Sequence, residues 1–167
     1  VSSRRQRQMC IRDRIKACYQ LGAKLVIDYK KQDFLEEVQS FTRKKGVNVI
    51  LDIIGGEYLD KNISCLSTGG RLLQIAFQNG MIGELNLARV MFKKLTITGS
   101  ALRPESIDYK AKIGKQVLTN VWPLFEDRKL SIPIFKRFPL SQASQAHACL
   151  EKGEHIGKIV LDVTSEF

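Results

Sequence analysis

Along most of the chain, short runs of consecutive apolar residues alternate with stretches in which apolar side chains recur every three or four positions. That alternation predicts strands and helices in turn, the mark of an α/β fold with a mostly parallel sheet. Residues 15–21 read as the end of a helix closed by Gly22, because glycine accepts the left-handed conformation a helix stop requires. KLVID over residues 24–28 reads as a short buried strand. A helix follows over 32–44, with Phe34, Leu35, Val38 and Phe41 on one face and Gly46 ending it. VNVILDI over 47–53 is apolar nearly throughout, as a parallel strand covered on both faces must be. Gly55-Gly56 turns the chain into a helix over 58–66, Gly69-Gly70 turns it again, and 71–77 is a third strand. Asn86 is placed to cap a helix over 87–93, and 95–99 is a fourth strand.

Beyond Pro104 a long helix is expected over 105–126, broken near Trp122-Pro123 because proline removes a helical donor. The last forty residues change character: a strand over 132–138, a helix capped by Ser141 and running to Lys152, and a final strand over 157–163. This β-α-β ending follows a crossing helix and is a candidate for a second sheet.

Composition then narrows the class. Hydrophobic content of 44% with 26% charged residues is that of a globular protein, and no apolar run approaches the roughly 20 residues that cross a bilayer. The formal charge of +10 invites a search for nucleic acid, but it is unevenly placed. Residues 1–14, VSSRRQRQMCIRDR, lack either periodicity and carry five arginines (Arg4, Arg5, Arg7, Arg12, Arg14) against Asp13. They are expected to be a non-native leader resembling linker read-through, with a mitochondrial presequence as the alternative. Cys10, Cys18, Cys65 and Cys149 form no C-x-x-C pair and no zinc spacing. His147 and Cys149 diverge on a helix at i and i+2. Reduced thiols, no metal and a cytoplasmic location are the expectation.

Taken in order, LGAKLVIDYK, GVNVILDIIGG, GGRLLQIAF, KKLTITGS and FPLSQASQAHACLEKGEHIGKIVLDV resemble the medium-chain dehydrogenase/reductase superfamily, most of all its zinc-independent NADPH:quinone oxidoreductase branch. The likeness runs from Ile15 to Val163 and rests on the order and spacing of the pieces. It implies a two-domain parent, with an NADPH-binding Rossmann domain (a doubly wound parallel sheet) and a GroES-like catalytic domain whose last strands return at the carboxy end. Residues 15–126 are then a partial Rossmann domain lacking its first two strands and the glycine-rich turn, and 127–167 the C-terminal return. In the strand order 3-2-1-4-5-6, KLVID is third and VNVILDI fourth, so two strands belong between them and leave them roughly 14 Å apart. Both expose unpaired edges, and the chain is expected to be marginally stable or to aggregate.

The resemblance also implies site residues. Tyr29 matches a tyrosine that packs near the adenosine 2′-phosphate, with Lys30 or Lys31 adding charge; on its own it reads equally as a tyrosine closing a strand end. Gly55 and Gly56 sit where α/β folds admit ligands, although a plain turn needs glycine just as much. Ala76 and Phe77 match the nicotinamide side of the cleft, where the family more often has glycine than Ala76. Ser100, Ala101 and Leu102 match backbone positions facing the carboxamide. Arg103 follows them, a loop arginine whose ordinary fate is solvation. His155 stands where relatives carry an asparagine reaching the cofactor, and otherwise reads as a surface turn residue.

No triad, paired carboxylates or metal cluster is visible in the sequence, so no catalytic residue is named. That agrees with the implied chemistry, direct hydride transfer from NADPH to a quinone or conjugated acceptor. An enoyl reductase of the same superfamily is the alternative. A non-catalytic RNA-binding protein is the alternative of another class, but setting aside residues 1–14 removes the only dense arginine cluster. Pairs such as Lys44-Lys45 and Lys93-Lys94 then remain at helix ends, where the dipole favours them. The parent is expected to be a homodimer, with Leu95–Gly99 as the interface strand.

Overall fold

The computed structural model describes residues 13–153 and 155–163; the leader expectation for residues 1–12 lies outside the described residues. Helix α1 (residues 13–20) already includes Asp13 and Arg14. Its end is a Schellman closure: the Ala23 N–H donates to the Cys18 carbonyl and the Gly22 N–H to that of Tyr19, both at 3.0 Å, with Gly22 at φ +96°. The strand expected over 24–28 does not form. A strand is a paired state as well as an extended one, and no strand among the described residues lies against this run to pair with it.

The chain divides into two compact units, Ile27–Lys110 and a second comprising the residues up to Val26 with those from Ala111 onward. In the first unit, α2 (Phe34–Phe41), β1 (Val47–Asp52), α3 (Tyr58–Cys65), β2 (Leu66–Gln74), α4 (Leu87–Lys93) and β3 (Thr96–Gly99) follow one another. The three strands form one sheet in the order β1-β2-β3, with both pairings parallel. Helix α2 starts later and stops earlier than its apolar period suggests. Asp33 is its cap, accepting from the Leu35 N–H at 2.8 Å, and Arg43 and Lys44 take positive φ beyond its end. Asn86 caps α4 as expected, accepting from Arg89.

The turn expected at Gly69-Gly70 is absorbed into β2 as an irregularity. Leu66 pairs with Val47 and Arg71 with Val49, so residues 67–70 of β2 stand opposite Asn48 alone. β2 then ends at Gln74, three residues short of Phe77, because the chain leaves the ladder to pack against the β1 loop. The core is small: Ile63, Leu66 and Leu72 are wholly buried, with Val47, Ile50, Leu59, Leu85 and Leu95 packed around them. Each fully buried aliphatic side chain contributes about 2 kcal/mol. Lys93 reaches across to α3, donating to the carbonyls of Ser64 at 3.0 Å and Leu66 at 2.7 Å. It therefore serves the end of a neighbouring helix, whose carbonyls have no partner of their own.

Helix α5 (Ile107–Asn120) carries the chain from the first unit into the second, and α6 (Trp122–Glu126) follows with Pro123 in its first turn. Strands β4 (Ile134–Pro139) and β5 (Lys158–Asp162) pair in parallel across helix α7 (Ala143–Glu151), a separate two-stranded sheet. Ser141 does not cap α7. It lies inside a 3-10 turn, Leu140–Gln142, and the Leu140 carbonyl accepts the Ala143 N–H in place of a side-chain cap. The Arg14 guanidinium donates to the carbonyls of Gly153 and His155, tying α1 to the turn before β5. The Arg137 guanidinium bonds Asp162 at 2.6 Å across the two strands.

Candidate functional site

All three parallel strands of the first unit end at the same edge, and backbone hydrogen bonds stitch their exits together. The Ile75 N–H donates to the Asp52 carbonyl at 2.9 Å and the Ser100 N–H to the Gln74 carbonyl at 3.0 Å. This brings Gly55 and Gly56 (after β1), Ala76 and Phe77 (after β2) and Ser100, Ala101 and Leu102 (after β3) to one edge of the sheet. The carboxyl edge of a parallel sheet is where α/β folds receive ligands. Phe77 and Leu102 are 52% and 53% exposed, so apolar surface is free on the second and third exits.

Gly55 and Gly56 are buried, at φ +70° and +55°. A Cβ on Gly56 would stand 2.3 Å from the Asn79 carbonyl oxygen, and one on Gly55 would stand 2.7 Å from that of Gly80. The close approach that requires glycine here is made by the loop after β2, held by Asn79 N–H to Ile54 carbonyl at 2.8 Å.

The organiser of this edge is Asp52, which the sequence analysis does not single out. Its buried carboxylate accepts from the Ile54 N–H at 2.7 Å, from the Gly55 N–H at 3.2 Å and from the Asn62 side-chain amide at 3.1 Å. Asn62 is itself buried on α3, and Gln74 donates to the Ala76 carbonyl at 2.6 Å. The local signal is an Asp two residues before the turn that begins at Ile54, an Asx-turn pattern that can be read from DIIGG. The Asn62 contact has no local signature.

Tyr29 lines two cavities in the same unit. One, of about 680 Å3, separates Ile27 and Tyr29 from Ile50, Leu51 and Asp52 of β1. The other, of about 410 Å3, is bounded by Tyr29, Lys30, Lys31, Phe34, Tyr58 and Lys61. Phe34 and Tyr58 stack with ring centroids 5.2 Å apart, and the Lys61 ammonium bonds Asp33 at 2.6 Å. That pairing holds the Asp33 carboxyl below the ordinary aspartate value of 3.8 and lifts Lys61 above 10.5. Arg103 is exposed, and its carbonyl accepts from Lys110. His155 belongs to the second unit, where its Nδ1 is buried without a partner among the described residues and its ring meets the Phe135 ring edge-on at 6.4 Å.

The zinc-binding dehydrogenase family model matches residues 21–161, which takes in every strand of both units. The chain belongs to this family, within the medium-chain dehydrogenase/reductase superfamily. A 2-haloacrylate reductase from Burkholderia sp is 30% identical over 84% of the chain and 42% of its own length. Quinone oxidoreductase-like protein 2 homolog of Nematostella vectensis is 22% identical over 86% of the chain and 39% of its own. Among solved structures, an NAD-dependent alcohol dehydrogenase superposes with TM-score 0.74 at 28% identity, over 92% of this chain and 42% of that one. The chain spans less than half the length of these relatives.

The family description names zinc, so the donor set matters. Among the described residues no group of three or more His, Cys, Asp or Glu is placed to hold a metal ion. Burial pushes the Cys65 thiol up to about 11, against a smaller lowering by Lys93, which disfavours the thiolate that a zinc ligand must supply. The donor set described here does not fit a zinc site.

Proposed function

We propose that the chain is part of an NADPH-dependent reductase that delivers a hydride to a quinone or related conjugated acceptor. The observation that carries the reading is the common carboxyl edge of β1, β2 and β3 within a dehydrogenase-family chain. We propose further that residues 15–126 are a partial Rossmann domain without its first two strands, and that 127–167 return to a GroES-like catalytic domain. The outer edge of β1, unpaired among the described residues, supports the first assignment, and the separate β4-β5 sheet supports the second.

NADPH supplies the hydride when bound; the residues of this chain position it. The Tyr29 phenol donates to the 2′-phosphate, with Lys30 and Lys31 beside it. Backbone groups of Ser100, Ala101 and Leu102 face the carboxamide, while Ala76 and the flat Phe77 ring line the nicotinamide side. Gly55 and Gly56 let the loop after β2 close against the β1 exit, which sets the edge beside which the cofactor would lie. His155 remains a donor to the cofactor only as the family resemblance implies. Holding two flat molecules face to face needs orientation more than acid–base groups. A homodimer joined along Thr96–Gly99 is supported by the exposure of that edge strand.

The 2-haloacrylate reductase gives specific support to a second reading, reduction of an activated carbon–carbon double bond such as an enoyl group. The test is NADPH oxidation by the protein that carries this segment with the rest of its reading frame, with a quinone and an enone offered in parallel. Turnover of the quinone is expected. Turnover of the enone alone selects the second reading, and no NADPH oxidation with either removes both.

A further inference from the structure

The turn that carries Tyr29, Lys30 and Lys31 is fastened at both ends. Inside it, the Asp28 N–H donates to the Gln32 side-chain oxygen at 3.1 Å, and the Lys31 and Gln32 N–H groups return to the Asp28 carbonyl at 2.9 Å. The Gln32 amide then donates to Glu37 of α2 at 2.8 Å. Asp33 links this turn to the rest of the unit by dividing its two oxygens. One accepts from the Leu35 N–H and caps α2, and the other accepts from the Lys61 ammonium of α3. The same ammonium lies 5.8 Å from the centre of the Phe34 ring, which stacks on Tyr58. Two contacts join the walls of the 410 Å3 cavity, Tyr29–Phe34 on one side and Glu57, Tyr58 and Lys61 on the other: the Phe34–Tyr58 stack and this ion pair, which is the one that reaches from the turn side through Asp33.

The charges of the cavity favour positioning over direct contact for Lys61. Asp33 neutralises it, and Asp28 stands 3.7 Å from Lys31, whereas Lys30 makes no ion pair among the described residues. Glu57 is turned toward the Asn79 amide at 3.1 Å. The cation left to meet an anion is on the turn that Lys61 holds in place.

We propose that Lys61 and Asp33 are a positioning pair that sets the preference for a 2′-phosphorylated over an unphosphorylated adenosine, by holding the Tyr29–Lys31 turn against α3. The proposal rests on the NADPH reading above. A phosphate monoester is gripped by several donors at once, so its affinity depends on how well they are pre-placed, whereas an adenosine without that phosphate does not sample them.

The experiment is titration of the protein that carries this segment with the rest of its reading frame, with adenosine 2′,5′-bisphosphate and, separately, with adenosine 5′-monophosphate. The unaltered protein is expected to prefer the bisphosphate by about tenfold or more, the value of one charge-assisted contact. Lys61→Met and Asp33→Asn are each expected to cut that preference about three- to tenfold, with monophosphate affinity unchanged. Asparagine still caps a helix, so Asp33→Asn removes the ion pair and spares α2. Lys61→Arg restores the pair and is expected to keep the preference. A preference that survives both Lys61→Met and Asp33→Asn overturns the positioning role alone, and so does one lost in Lys61→Met but kept in Asp33→Asn. No preference in the unaltered protein overturns the NADPH reading, and the positioning role with it.

Discussion

On one face of the three-stranded sheet Leu72 is wholly buried with Ile63 and Leu66; on the other, Val49 and Leu51 are 62% and 61% exposed. Leu72, Val49 and Leu51 are all aliphatic and lie on neighbouring, paired strands, so composition does not explain the difference. What separates them is cover. Ile50 and Leu72 share the face that α3 and α4 pack against, while Val49 and Leu51 alternate to the opposite one. A strand that carries Val49 and Leu51 on the face opposite its covered one is written for a sheet covered on both, and among the described residues this unit covers one. The outer edge of β1 has the same character. The Asp52 carbonyl faces β2, so by alternation the main-chain groups of Val49 and Leu51 point away from every strand described.

The covered face is the place to break the unit. Leu72→Ala is expected to cost about 3 kcal/mol, since the cavity lies in a core of three fully buried side chains; urea unfolding followed by circular dichroism measures it. Asp52→Ala comes next, at about 2 kcal/mol, because it strands the Ile54 and Gly55 N–H groups and the buried Asn62 amide. Asp52→Asn, which keeps an acceptor, is expected to lose less in the same assay.

A smaller effect is expected from the surface pair, and its sign follows from the two pKa directions. Asp33 lies below 3.8 in the folded chain, so its contribution is present above that value and fades as pH falls through the folded pKa. Lys61 lies above 10.5, so its contribution is present below that value and fades as pH rises through the folded pKa. The stability difference between the unaltered chain and Lys61→Met is therefore expected to be flat between these limits and to vanish outside them, as thermal melts across pH will show. Smallest of all is Leu51→Thr on the bare face. Stability is expected to stay within about 0.5 kcal/mol, while the concentration at which light scattering reports aggregation rises.

What could be read from the sequence is what neighbours in sequence decide. The cap at Asn86, the stop at Gly22 and the break before Trp122-Pro123 all follow from local backbone chemistry, and each is found. The parallel order of β1, β2 and β3 follows from apolar runs separated by helical periods. KLVID failed as a strand because pairing depends on a partner, which its own residues do not encode. Ser141 failed as a cap because a 3-10 turn competes for the same donors. Within the site, the three strand exits were legible from the Gly55-Gly56, Ala76-Phe77 and Ser100–Leu102 segments. The groups that hold those exits were not, since Asp52 meets Asn62 and Asp33 meets Lys61 through side chains from different elements.

Hydrogen exchange of the backbone amides in the monomeric 167-residue chain tests most directly whether β1 lacks a neighbour. Leu72 and Leu73, in the middle strand, are predicted to exchange slowly, and Val49 and Leu51 to exchange many times faster. Val49 and Leu51 protected as strongly as Leu72 would mean that β1 is already paired on its outer side, and the reading of an unfinished dinucleotide-binding sheet would be contradicted.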